Sequence, residues 1–227
     1  MYIDIHTHHQ SPDRPDVIAV RSIPMQEAHQ YAPSEGFFSI GLHPWESETV
    51  DLDHQLFDEL IARPEIIAVG ECGLDRLRGA DIKKQTILFV QQAIMAETRH
   101  KPLIIHCVRA WQEIMSLKTE LNPKVPWIIH SYRGKSHVAA KLVDLGFYLS
   151  FGESLLSFNP VLSDILRNTP DERFFLESDD GRRSIEDIYD AARQIKKLSL
   201  ESIRTCLISN FEKVFDPYGT SRMASAD

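Results

Sequence analysis

At 227 residues the chain is long enough to bury a full barrel-sized core and too short for more than two small domains. With 43% hydrophobic and 26% charged residues it has an ordinary globular composition, and no apolar run approaches the roughly 18 residues that a membrane span needs. A net charge of −8 argues against a broad, non-specific nucleic-acid binder, because phosphate neutralisation dominates such binding, but it leaves room for a local basic patch.

Tyr2, Ile3 and Ile5 read as a short strand that runs into His6, Thr7 and His8. Side chains two apart on a strand share a side, so His6 and His8 can converge on one point. The N-terminus lacks the basic-then-apolar pattern of a signal peptide. Residues 10–16, with two prolines, read as a turn-rich loop, and residues 17–20 as a second strand. Residues 24–34 are irregular or a short helix. Residues 37–41 form a third apolar run, ending at Leu42-His43-Pro44-Trp45. Residues 52–62 look helical, with Leu56, Glu59 and Leu60 in phase, and 66–70 form a strand with Glu71 just past its end.

A long helix over 82–100 carries Ile87, Val90 and Ile94 on one face. A strand over 102–105 ends at His106, a helix covers 110–121, and a strand over 125–129 ends at His130. Val138, Leu142 and Leu145 mark the next helix; a strand over 146–150 and a short helix over 160–166 follow. The strand over 173–176 ends in Glu177-Ser178-Asp179-Asp180, and Ile185, Ile188, Ala192 and Ile195 define a late helix. A last helix surrounds Phe211, Val214 and Phe215. The reading is one domain over residues 1–219 and a disordered tail over 220–227. Short, continuously apolar strands alternating with helices predict a (β/α)8 TIM-like barrel. It should be distorted, since no clear helix separates the first two strands. Cys72, Cys107 and Cys206 have neither an even count nor close spacing, which fits a reducing cytoplasm better than a disulfide framework.

The titratable residues fall in a pattern. His6 and His8, His43, Glu71, His106, His130 and Asp179 each sit at or just past the C-terminal end of a predicted strand, and in such a barrel those ends face one mouth. Singly, His106 or His130 reads as well as a strand-end histidine capping a carbonyl, and Asp179 as a helix N-cap. Glu71 is harder to dismiss, because a carboxylate after a buried strand must be paired or bind a cation. Four imidazoles and two carboxylates suit a pair of divalent ions (Zn2+, Mn2+ or Mg2+) better than one structural zinc. Asp179 is the best candidate to take the proton of a metal-activated water, so Asp179 and Glu71 are the expected catalytic residues.

Asp4-Ile5-His6-Thr7-His8, Gly41-Leu42-His43-Pro44, Gly70-Glu71-Cys72-Gly73-Leu74-Asp75, Pro102 to His106, Ile129-His130 and Glu177-Ser178-Asp179 occur in the order of the TatD-type metal-dependent hydrolases. Ser209 to Phe215 also resembles that family's closing motif. The resemblance extends to about Pro217 and implies an amidohydrolase-like barrel in which Glu71 replaces the carbamylated lysine of many relatives. It implies that His6, His8 and Asp179 bind one metal, that His106 and His130 bind the second, that Glu71 bridges them, and that His43 lies in the outer shell facing substrate. It further implies a magnesium-dependent deoxyribonuclease, often with 3′-to-5′ exonuclease action, so DNA is the expected partner; no obligate protein partner is evident.

Several stretches depart from the family pattern. The segment between His8 and His43 is short, His106-Cys107-Val108-Arg109 places its arginine one residue late, and His130-Ser131-Tyr132-Arg133 displaces an aromatic. Arg109 and Arg133 are expected to bind substrate, and Arg133, Lys135, Arg182 and Arg183 read either as a phosphate-binding collar at the mouth or as solvated loop charges. Trp45 is a candidate base-stacking platform, whereas Trp111 and Trp127 read as core. Two alternatives keep the metals: hydrolysis of another phosphoester or of an amide or ester bond such as an aminoacyl ester, and a metal-binding protein without turnover.

Overall fold

The computed structural model describes residues 1–9, 14–30 and 36–215; most of the expected loop over 10–16 and the whole expected tail lie outside the described residues. Eight strands lie side by side in chain order: β1 (Tyr2–Thr7), β2 (Val17–Pro24), β3 (Phe37–Gly41), β4 (Ile66–Asp75), β5 (Leu103–Val108), β6 (Trp127–Ile129), β7 (Tyr148–Phe151) and β8 (Phe174–Leu176). Every neighbouring pair is parallel. The helices are α1 (His54–Ile61), α2 (Ile82–Thr98), α3 (Trp111–Leu121), α4 (Ser136–Asp144), α5 (Pro160–Asn168), α6 (Ile185–Lys196) and α7 (Leu200–Phe215). From β3 onward each strand is followed by at least one helix. Among the described residues the β2–β3 crossover carries only a 3-10 turn, Met25–Gln30, and the (β/α)8 barrel is irregular over its first two crossovers. None of the described helices is long and apolar enough to cross a membrane.

The barrel closes by a seam rather than by a full ladder. Between β1 and the chain after β8 there is one parallel bridge, Thr7 to Asp179. There the Asp179 N–H donates to the His6 carbonyl at 2.9 Å and the His8 N–H to the Asp179 carbonyl at 3.1 Å. Lower down, the Tyr189 hydroxyl on α6 substitutes for a strand partner, accepting from the Ile3 N–H at 2.8 Å and donating to the Ile3 carbonyl at 3.0 Å. Buried backbone groups must be paired, and one phenol serves both.

Several strands run further than their apolar stretches suggest, β2 to Pro24 rather than Val20 among them. β4 continues to Asp75 and β5 to Val108, paired from Cys72 with Ile105 to Asp75 with Val108. A ladder bonds backbone, so polar side chains extend it wherever a neighbouring strand is present. Glu71 and His106 therefore lie inside strands, not beyond them.

The expected face of α2 is also corrected. Ile87 and Ile94 are 59% and 54% exposed, while Leu88, Phe89, Ala93 and Ala96 are buried together with Gln85 and Gln92. Both glutamines are buried because each binds strand or loop backbone. Gln85 accepts the Asp75 N–H and donates to the carbonyls of Asp75, Arg78 and Ala80. Gln92 accepts the Leu42 N–H at 2.7 Å and donates to its carbonyl. Likewise α1 buries Phe57, Leu60 and Ile61 and leaves Leu56 exposed, and Leu145 after α4 is exposed. Trp127 is fully buried, edge-on to Phe89 and Phe147; Trp111 is half-buried against Tyr132. All three cysteines are free.

Candidate metal centre

Because the strands are parallel, their C-terminal ends share one pole, and six of the expected residues meet there around a cavity of about 350 Å3: His8, His43, Glu71, His106, His130 and Asp179. His6 lies beneath them, fully buried, two residues below His8 on the same side of β1. β2 and β3 contribute only small or apolar wall residues, among them Ser22, Ile23 and Gly41, which keep the cavity open. A β-carbon on Gly41 would come within 2.5 Å of the Glu71 carbonyl oxygen, and one on Gly73 would overlap the His106 carbonyl. Side chains at those two positions would push apart the strands that carry Glu71 and His106.

Glu71 is the centre of the arrangement. Its Oε2 lies 3.4 Å from His6 Nε2 and 3.4 Å from His8 Nε2. Its Oε1 lies 2.8 Å from His106 Nδ1, 2.8 Å from His130 Nε2 and 3.0 Å from His43 Nε2. Asp179 Oδ1 faces the first group, 3.5 Å from His6 Nε2 and 3.6 Å from His8 Nε2. His130 stands between the two sets, its ring 4.5 Å from that of His6, and it shares a potential ligand cluster with His6 and Asp179.

Hydrogen-bond partners assign the ring protons. His43 Nδ1 accepts the Trp45 N–H at 3.2 Å, so its proton is on Nε2 and is donated to Glu71. His106 Nε2 lies 3.2 Å from Asp75 Oδ2, which places its proton there and turns the Nδ1 lone pair toward Glu71. His130 Nδ1 lies 3.4 Å from buried Glu177 Oε1 without a hydrogen bond to it, and its Nε2 faces Glu71 Oε1 at 2.8 Å, 3.4 Å from His106 Nδ1. Two imidazole nitrogens, His106 Nδ1 and His130 Nε2, thus converge on one carboxylate oxygen. Neither ring nitrogen of His6 has a hydrogen-bond partner among the described residues. Buried acceptors facing one another need a positive charge between them. This donor set fits divalent cations, and protons are the only other carriers available.

The electrostatics agree. Burial works to raise the Glu71 pKa, but the His130, His106 and His43 imidazoles outweigh it and hold the carboxylate well below its ordinary range. Burial works to lower His6 and His130, yet the facing carboxylates lift His6 to about 9 and His130 well above an ordinary imidazole. Burial likewise opposes ionisation of Asp179, and His6 holds it low. The cluster demands positive charge.

Residues without an assigned role in the sequence hold the candidate ligands in place. Asp75 accepts from His106, from the Trp45 indole N–H at 2.7 Å and from the Leu77 N–H. Glu71 and Asp75 are four apart on one strand, so alternation alone puts them on one side. Asp4, two residues below His6, takes both the N–H and the hydroxyl of Ser178, fixing the chain just before Asp179. Carboxylates behind ligating imidazoles set tautomer and orientation. Asp75→Asn is therefore expected to weaken Mn2+ binding by about 10- to 100-fold with the fold intact, as read by Mn2+ titration. Unchanged affinity would remove Asp75 from this role.

Trp45 is 47% exposed at the rim, its ring edge-on to His43 and its face 4.3 Å from the Arg78 guanidinium. Arg109 and Arg133 are exposed and lie outside the cavity lining; Arg133 instead donates to the Ser131 hydroxyl.

Residues 20–216 match the family model described as TatD related DNase. The uncharacterized metal-dependent hydrolase YabD of Bacillus subtilis (strain 168) is 26% identical over 222 residues, covering 89% of this chain and 84% of that protein. The 3'-5' ssDNA/RNA exonuclease TatD of Dickeya dadantii (strain 3937) is 30% identical over 148 residues, covering 61% of this chain and 54% of that protein. Among solved structures, the TatD homologue YjjV of Escherichia coli K12 superposes with a TM-score of 0.80 at 20% identity, covering 95% of this chain and 98% of that one. A TatD-family hydrolase from Entamoeba histolytica gives 0.79 at 17% identity, with the same coverage. At these identities the structural likeness speaks for the fold alone.

Proposed function

Since the chain belongs to the TatD-related DNase family of metal-dependent hydrolases, we propose that it cleaves phosphodiester bonds in DNA, removing nucleotides from a 3′ end with two divalent cations held at the barrel mouth. One observation carries the reading: each oxygen of Glu71 faces its own set of imidazoles. In this reading His6, His8 and Asp179 hold one cation, His106 and His130 the other, and Glu71 both. When bound, such a pair would neutralise charge building up on the phosphate and make a water acidic near neutral pH.

The protein's own groups do the rest. Asp179, at the mouth beside His8, accepts the proton of the attacking water on its carboxylate. His43 Nε2 donates to Glu71, so its ring fixes that carboxylate while one edge faces the cavity. Trp45 offers an aromatic face at the rim to a terminal base. A cavity of about 350 Å3 suits a single-stranded end rather than an intact duplex. The Dickeya relative's name points the same way.

The test uses 5′-labelled single-stranded DNA, duplex DNA and RNA beside a panel of phosphoesters and carboxylic esters, after chelation and again with Mg2+ or Mn2+ restored. A ladder of progressively shortened single strands that needs the cation is the expected result. Turnover confined to the esters would replace the nuclease reading. Bound metal with no hydrolysis of any substrate would end it.

A further inference from the structure

The opposite pole of the barrel, beneath the starts of β6, β7 and β8, holds a second cavity of about 500 Å3. Four cations from four separate segments line it: Lys118 in the last turn of α3, Lys124 between α3 and β6, Arg173 just before β8, and Lys213 in the last turn of α7. No ion pair joins any of them to a carboxylate among the described residues. Two of the acids nearby are engaged elsewhere. Glu97 accepts the backbone N–H groups of Lys124 and Val125, and Asp171 pairs with Lys196 at 2.8 Å.

Two of the cations are held by aromatic faces. The Lys118 ammonium lies 5.1 Å from the Trp127 ring and 5.4 Å from that of Phe147, and the Arg173 guanidinium lies 5.1 Å from the Tyr148 ring. Burial pulls the Lys118 pKa down to about 8, with Glu97 opposing and Arg173 adding to the effect. Helix C-termini attract cations, and α3, α4 and α7 all end here, but each offers only about half a negative charge. With Glu97 and Glu172 included, a small excess of positive charge remains around the cavity. Like charges gathered about a space that size are stabilised by an anion in it.

We propose that this cavity binds a small organic phosphate of nucleotide size, its phosphate oxygens held by Lys118, Lys124, Arg173 and Lys213. Leu145, Pro123 and Pro126 on the wall supply apolar surface for the organic part. A phosphate is favoured over a carboxylate because it carries more charge on more acceptor oxygens, which four separate donors can share.

The test is calorimetric titration of the full chain with ADP, repeated on Lys124→Gln/Lys213→Gln, which alters two exposed side chains, and on Lys118→Met, which keeps the stem over Trp127 and removes the charge. Saturable ADP binding weakened roughly tenfold or more in each variant, with hydrolase activity at wild-type level, is expected. Binding equal in all three proteins would place ADP elsewhere, such as the metal centre, and overturn the proposal. So would an absence of binding at about 10 mM ADP, or binding of a single-stranded oligonucleotide that depends on these residues while ADP binding does not.

Discussion

Glu71→Ala is expected to reduce turnover by on the order of 10^3-fold or more and to strip the protein of bound divalent metal. Among the described residues no other carboxylate is shown facing both imidazole groups: Oε2 addresses His6 and His8, and Oε1 addresses His106, His130 and His43. Without it, four potential ligands lose their shared counter-charge at once, and His43 loses the group it donates to. Glu71→Gln separates charge from shape, since the amide fills the same space but offers one acceptor instead of two. It should leave the fold intact while losing at least one cation. Elemental analysis of each variant beside the rate measurement decides the matter. A Glu71→Ala protein with full metal content and full rate would eliminate the two-cation reading.

Asp179→Asn should lower kcat by about 10^2- to 10^4-fold with little change in KM or in the thermal stability of the metal-free protein. Asp179 has φ of 53°, in the left-handed region that asparagine enters almost as readily as aspartate. Its backbone bonds to His6 and His8 do not involve the side chain and survive the substitution. What disappears is a charged proton acceptor beside His6 and His8. Kinetics and a melting curve on one preparation test both halves. A collapse in stability would recast Asp179 as a structural residue, and an unchanged kcat would place the proton acceptor elsewhere.

The strands were legible because parallel barrel strands are buried on both faces and so read as continuous apolar runs, as Ile66 to Val69 and Leu103 to Ile105 do. The ring of donors was legible because each follows such a run. The true ends of β4 and β5 were not, since their last residues are set by backbone pairing rather than by hydrophobicity. Nor was the buried side of α2, where Gln85 and Gln92 stand in core positions that only their strand and loop partners explain. Asp75 was within reach through its spacing from Glu71. The basic cavity was not: positions 118, 124, 173 and 213 share no motif and meet only through the fold.

The Thr7–Asp179 bridge joins points 172 residues apart. A cation gripped by His6 and His8 on one side and Asp179 on the other would therefore act as a removable clasp between the first strand and the chain just after the last one. A covalent link across a loop of that length restricts the unfolded chain severely, whereas an ion held only by the folded site stabilises the barrel reversibly, with the logarithm of its concentration. Loading the reactive centre and fastening the barrel would then be the same event.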